Sequence, residues 1–218
     1  MVELPDKDIL DLYGSLMVEV KARLTATNIQ LAATTKETNT AQIRFGAEFC
    51  YLQLRRITEL VALGVLAAHN PLPEFRTKNL LKAWNPDDLM RQLGNLSKFA
   101  FPHRGGSFDM GRPDGGRQVV FSAQDFASGG PRDDICRIYN ECSDKLHTGA
   151  LRAVLKQREK VYSLEFIEES KDTLSDMLNE HVIWLPDDRF LETKLHAGSP
   201  EPVDCRWLHR GAPQSSGQ

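Results

Sequence analysis

The sequence predicts an α+β fold, mainly α: an antiparallel helical bundle with a small C-terminal three-stranded antiparallel β-meander. Three observations predict it. Apolar residues recur at three- and four-residue steps through the first third of the chain. Helix start signals follow at Asn85-Pro86-Asp87-Asp88 and Pro131-Arg132-Asp133-Asp134, and beyond residue 180 the spacing changes to alternation.

The first helix is expected from Leu4 to about Thr35, with Ile9, Leu12, Leu16, Val20, Leu24 and Leu31 on its apolar side. Polar residues 34–40 interrupt it, and Thr38 or Asn39 caps a long central helix over Ala41–His69. This helix has two apolar lines. Phe45, Phe49, Leu52, Leu60, Leu63 and Leu66 form one, with Glu48, Arg55, Arg56 and Glu59 inside or beside it; Cys50, Leu54, Ile57, Val61 and Val65 form the other. A helix apolar on both sides belongs in the middle of a fold, so its charges are expected to be drawn inward with it.

After the turn His69-Asn70-Pro71-Leu72-Pro73, a short helical piece is expected around Thr77–Trp84, and a capped helix from Asn85 to about Phe99. Residues 102–131 are rich in glycine, proline, serine and arginine and read as an irregular insertion, across which Ser107–Met110 and Gln118–Ser122 can pair as a hairpin. Two more helices follow, from Pro131 to His147-Thr148-Gly149 and over Leu164–Glu180. The meander comprises Val182–Leu185, Phe190–His196 and Val203–Leu208, and its edges need covering by helices or a partner. The domain reading is a bundle over residues 1–180 containing the insertion, a meander over 181–210 packed on it, and a disordered polar tail over 211–218.

Composition is that of a folded globular protein: 218 residues, 41% hydrophobic and 26% charged, with net charge −3. That balance supplies no overall attraction to nucleic acid, although a local basic patch is compatible with it. An acidic N-terminus and the lack of a long apolar run predict a cytoplasmic protein without a membrane span. Cys50, Cys136, Cys142 and Cys205 are scattered and read as reduced thiols. No zinc, phosphate-loop, dinucleotide or nucleophile-elbow pattern is visible, so no metal and no cofactor is expected.

The residues that invite a functional reading cluster on two helices. Arg55 and Glu59 stand at i,i+4, with Arg56 and Glu48 in reach of the same face. About 100° separates Arg55 from Arg56, so one is expected to pair inward and the other to remain available to a phosphate or carboxylate. The plainer reading is an ion-pair network that fixes helix register. His147, at the end of a helix that also carries Arg137, Tyr139 and Asp144, sits where the negative dipole end favours an imidazolium. Its plainer role is to complement that dipole. His69 has the same plain reading, and His181, His196 and His209 are expected to be partly exposed structural residues.

The segments Phe49-Cys50-Tyr51-Leu52-Gln53-Leu54-Arg55-Arg56-Ile57-Thr58-Glu59-Leu60 and Tyr139-Asn140-Glu141-Cys142-Ser143-Asp144-Lys145-Leu146-His147 resemble the helical HEPN-like domains of bacterial and phage proteins, over roughly Leu4–Glu180. The resemblance implies an all-helical bundle, usually a homodimer, in which an arginine and a histidine from paired subunits build an RNA-cleaving cleft. In such ribonucleases an arginine is followed on one helix by four to six residues and then a histidine. Here Arg137 and His147 are nine residues apart, and Arg189 with His196 falls on an expected strand.

Two functions follow. The preferred one is a non-enzymatic intracellular interaction protein, with a protein partner docking at the meander edge. The alternative is a HEPN-like ribonuclease or nucleotide-binding protein of a bacterial or phage defence or toxin system. In it His147 is the general acid or base, while Arg55 or Arg56, assisted by Arg137, steadies an RNA or nucleotide phosphate.

Overall fold

The computed structural model describes residues 3–77, 86–96, 99–110, 117–122, 125, 130–147 and 161–209. They form α1 (Asp6–Thr34), α2 (Thr40–Ala68), α3 (Pro86–Leu96), α4 (Gly130–Leu146) and α5 (Leu164–Asn179). The strands are β1 (His103–Asp109), β2 (Arg117–Phe121), β3 (Glu180–Trp184), β4 (Arg189–Lys194) and β5 (Asp204–His209). The expected helical piece at 77–84, the cap at Asn85 and the polar tail fall almost wholly outside the described residues.

α1 and α2 are an antiparallel hairpin of two 29-residue helices. Asn39 is the α2 cap, its Oδ1 accepting from the backbone N–H groups of Ala41 and Gln42 and so satisfying two otherwise unpaired donors. The helices touch closely near the turn. A Cβ on Gly46 would stand 2.2 Å from Thr34 Oγ1, so only glycine permits that approach.

α2 is central, as expected, but it buries one apolar line rather than both. Cys50, Leu54, Ile57, Val61 and Val65 are fully buried, whereas Phe45 is 63%, Phe49 40%, Leu52 41% and Leu63 47% exposed. The charges beside the phenylalanine line follow it outward. They pair along the helix at its half-exposed margin, and so escape the cost of burial.

The three-stranded meander is corrected to a five-stranded antiparallel sheet, order β2-β1-β3-β4-β5, curled into a half-barrel. The hairpin inside the glycine-rich segment forms, pairing Ser107 with Val119 and Phe108 with Gln118, and it docks on β3 through His103↔Val182 and Arg104↔His181. β3 would otherwise present an unpaired edge next to the core, and β1 satisfies it. At Gly105, φ is +152° and a Cβ would lie 2.1 Å from the Val120 carbonyl oxygen. Past this point β1 leaves β3, and its Ser107 reaches the Glu192 side chain on β4. One sheet face packs on α1 and α5, where Tyr13 meets His181 and Gly14 abuts Cys205. The other carries Phe121, Trp184, Phe190, Glu192 and Arg206.

Candidate functional site

The residues singled out from sequence fall into one connected cluster and one outlier. Arg55 Nε donates to Glu59 Oε1 at 3.1 Å, and Arg56 Nη1 donates to Glu59 Oε2 at 2.7 Å. Both arginines therefore use the same carboxylate. Arg55 also lies over the Tyr139 ring, its Cζ 5.4 Å from the centroid, which joins α2 to α4. Four residues from Arg44, Glu48 accepts its Nε–H at 3.1 Å and the Tyr162 hydroxyl at 2.9 Å. Tyr162 also donates to the Lys145 carbonyl oxygen.

These contacts fix the direction of α4. Arg55 meets Tyr139 while Glu48 is bridged to Lys145, so α4 runs antiparallel to α2. His147 lies two turns beyond Tyr139, about 12 Å of helix rise away, toward the Glu48 end and not beside Arg55. It is exposed, and its backbone N–H closes the helix on Ser143. Arg137 pairs with Asp134 at 3.5 Å and lies over the Phe166 ring at 6.0 Å, and Asp144 is exposed. The cluster thus gathers Arg55, Arg56, Glu59 and Tyr139, with Glu48 one step further, and leaves His147 and Arg137 outside. Buried Cys142 beside it has its thiol pushed up to about 12, chiefly by desolvation, and is held as an inert thiol.

A second polar cluster lies in the half-barrel around Glu192, a residue not singled out from the sequence. Glu192 is 1% exposed. Its Oε1 accepts the Ser107 backbone N–H at 2.5 Å; its Oε2 accepts the Ser107 hydroxyl at 3.0 Å and the Arg206 Nε–H. Arg117 extends the network by donating to Ser107 Oγ at 2.7 Å and to the Ser107 carbonyl oxygen at 3.0 Å. Burial pushes the Glu192 carboxyl up, but the donors from Arg206 and Ser107 outweigh it and hold the group below its ordinary value. A carboxylate with its lone pairs so occupied is an anchor rather than a base. Beside it, Trp184 and Phe190 lie 5.6 Å apart between centroids, with Phe99 4.8 Å from Trp184. The signal in the sequence was the cross-strand pair Glu192↔Arg206, opposite charges facing each other on adjacent strands.

Two histidines are buried: His181, expected to be partly exposed, and His69, expected to complement the dipole at the end of α2. His69 and His181 are fully buried, and desolvation lowers each to about 4. His69 Nδ1 lies 2.8 Å from the Val65 carbonyl oxygen, with Phe75 packed at 4.4 Å from its ring. His196 is the partly exposed one, 2.9 Å from Glu201.

The outer strip of α2 exposes a row of apolar side chains. Phe45, Phe49, Leu52 and Leu63 succeed one another along it, with Arg56 and Glu59 in the middle. Near the α1/α2 turn the strip borders a hollow of about 370 Å³ lined by Gln30, Thr34, Glu37, Gln42, Phe45 and Phe49. Among the described residues, no group of three histidine, cysteine or carboxylate side chains is arranged to hold a metal, and no helix is long and apolar enough to cross a membrane. No family model, no curated protein and no solved structure matches the chain.

Proposed function

We propose that the protein is a non-enzymatic binding module whose contact surface is the outer strip of α2. The observation that carries this reading is the exposed row Phe45, Phe49, Leu52 and Leu63. The outward face of a surface helix is ordinarily polar, and contiguous apolar surface marks a site of association. Arg55 and Arg56 fit the same reading: both pair with Glu59, Arg56 within the strip and Arg55 at its inner border, where it packs on Tyr139. The sheet offers β2 and β5 as its outer strands, and a protein partner there is the secondary contact.

The rival reading is the HEPN-like ribonuclease, which needs His147 to work with an arginine on a phosphate. Incubating the purified chain and its His147→Ala variant with labelled single-stranded and structured RNA separates the two. The binding reading expects the RNA to stay intact with both proteins. Cleavage by the parent that His147→Ala abolishes would overturn it.

A further inference from the structure

We infer that the α2 strip binds a second copy of this chain, antiparallel, in a register that sets Arg56 against the partner's Glu59. This rests on the reading of the strip as a contact surface and names its occupant.

Phe49, Leu52, Arg56, Glu59, Leu63 and Leu66 succeed one another at steps of three, four, three, four and three residues, the pattern by which a helix presents one seam to another helix. Phe49, Leu52, Arg56 and Leu63 are exposed, and Glu59 and Leu66 are half-buried. The residues immediately to the inside, Gln53, Leu54, Ile57, Val61, Ala62 and Val65, are buried, so the seam is the part of α2 left to meet another molecule.

The order of residue types along the seam is symmetric about the midpoint between Ile57 and Thr58. Reversing the helix places Phe49 opposite Leu66, Leu52 opposite Leu63, and Arg56 opposite Glu59. Each outward apolar residue then meets another, and each central charge meets its opposite. A two-fold axis through that midpoint brings Arg56, Glu59 and their two counterparts into a ring of alternating charge. A parallel pairing would instead stack Arg56 on Arg56 and Glu59 on Glu59, at the cost of like-charge repulsion.

The dimensions agree. Residues 49–66 span about 26 Å, close to five turns, and Phe45 continues the seam at each end, beside the hollow near Gln42. The interface is isologous, the form that closes as a dimer and does not propagate.

Light scattering on the full chain tests the state, and charge reversal tests the register. The parent is expected at about twice the 24.6 kDa of one chain. Arg56→Glu and Glu59→Arg each place like charges across the axis, and each is expected to lower self-association at least tenfold. An equimolar mixture of the two restores complementary pairs and is expected to recover the dimer. Because Glu59 also pairs with Arg55, circular dichroism confirms that each variant remains helical, and a cysteine pair supplies a second route. Leu52→Cys mixed with Leu63→Cys should form an intermolecular disulfide under mild oxidation, whereas Leu52→Cys alone should give no more than the parent. A parent of single-chain mass at every concentration overturns the proposal, as does a dimer indifferent to both charge reversals or lacking the 52–63 cross-link. These failures differ from that of the binding reading, which falls to His147-dependent RNA cleavage.

Discussion

Tyr13 Oη and His181 Nε2 lie 2.7 Å apart, joining α1 to β3 across 168 residues of sequence. His181 Nδ1 is 2.9 Å from the Leu178 carbonyl oxygen, which can only accept, so Nδ1 carries the proton and Nε2 receives the tyrosine hydroxyl. Burial enforces this arrangement from both sides. It lowers the histidine to about 4 and raises the tyrosine well above its ordinary value, so both groups are neutral at physiological pH.

Stability is expected to fall on mild acidification. His181 and His69 each have a folded value near 4 against about 6.5 unfolded, so between those limits the unfolded chain binds more protons. Their stabilising contribution is complete above 6.5 and is lost as pH falls toward 4, at up to about 1.4 kcal/mol per pH unit for each histidine. Thermal unfolding between pH 7 and 5 measures it, before carboxylates with lowered values such as Glu192 add their own loss at lower pH. A melting temperature constant over that window would contradict the buried neutral state.

Tyr13→Phe keeps the ring packing and removes the hydroxyl, leaving His181 Nε2 buried without a donor. The expected loss is about 1–3 kcal/mol in chemical denaturation, the cost of an unsatisfied buried polar atom. A variant as stable as the parent would mean that water reaches the imidazole.

Glu192→Ala removes the acceptor for the Ser107 backbone N–H, the Ser107 hydroxyl and Arg206 together. The expected loss is about 1–3 kcal/mol, from the buried Ser107 donors left unsatisfied, since the Arg206 side chain that remains is 36% exposed. Amide exchange should accelerate first in β1 beyond Gly105 and in β2, because Glu192 tethers that part of the hairpin to β4. Uniform acceleration across the sheet would argue against a local tether.

Gly105→Ala places a methyl group 2.1 Å from the Val120 carbonyl oxygen, in a backbone conformation that L residues rarely adopt. Both effects act on the bend that carries β1 away from β3. A loss above about 2 kcal/mol is expected, which combines strain with displaced backbone. Equal denaturation midpoints for parent and variant would exclude that bend.

The helices were legible because their signals are local. Asn39 announces α2, and Ile9, Val20, Leu24 and Leu31 mark the buried face of α1 by spacing alone. Which line of α2 faces the core was not legible, because periodicity records that two apolar lines exist and not which one meets α1 and α4. Cys50 and Phe49 are adjacent in sequence, one fully buried and the other 40% exposed. The place of β1 and β2 in the sheet was hidden for a different reason. β1 contains Gly105, Gly106 and Ser107, poor strand formers, and its place in the sheet depends on pairing with His181 and Val182 far along the chain. Of the candidate residues, the Arg55–Glu59 contact was readable from i,i+4 spacing, whereas the Glu192 network required the strand register and the bend at Gly105.

The bend also sets an order of assembly. β1 and β2 are near neighbours in the chain, but β3 follows only after α4 and α5. Until then the hairpin is an isolated pair of strands, a form that is marginal in water. Its completion waits on contacts of long sequence separation, which are slow to form because chain entropy is spent before they reward it. A ribosome releasing this chain would thus expose a helical hairpin able to fold early and a half-sheet unable to close until β3 and β4 emerge.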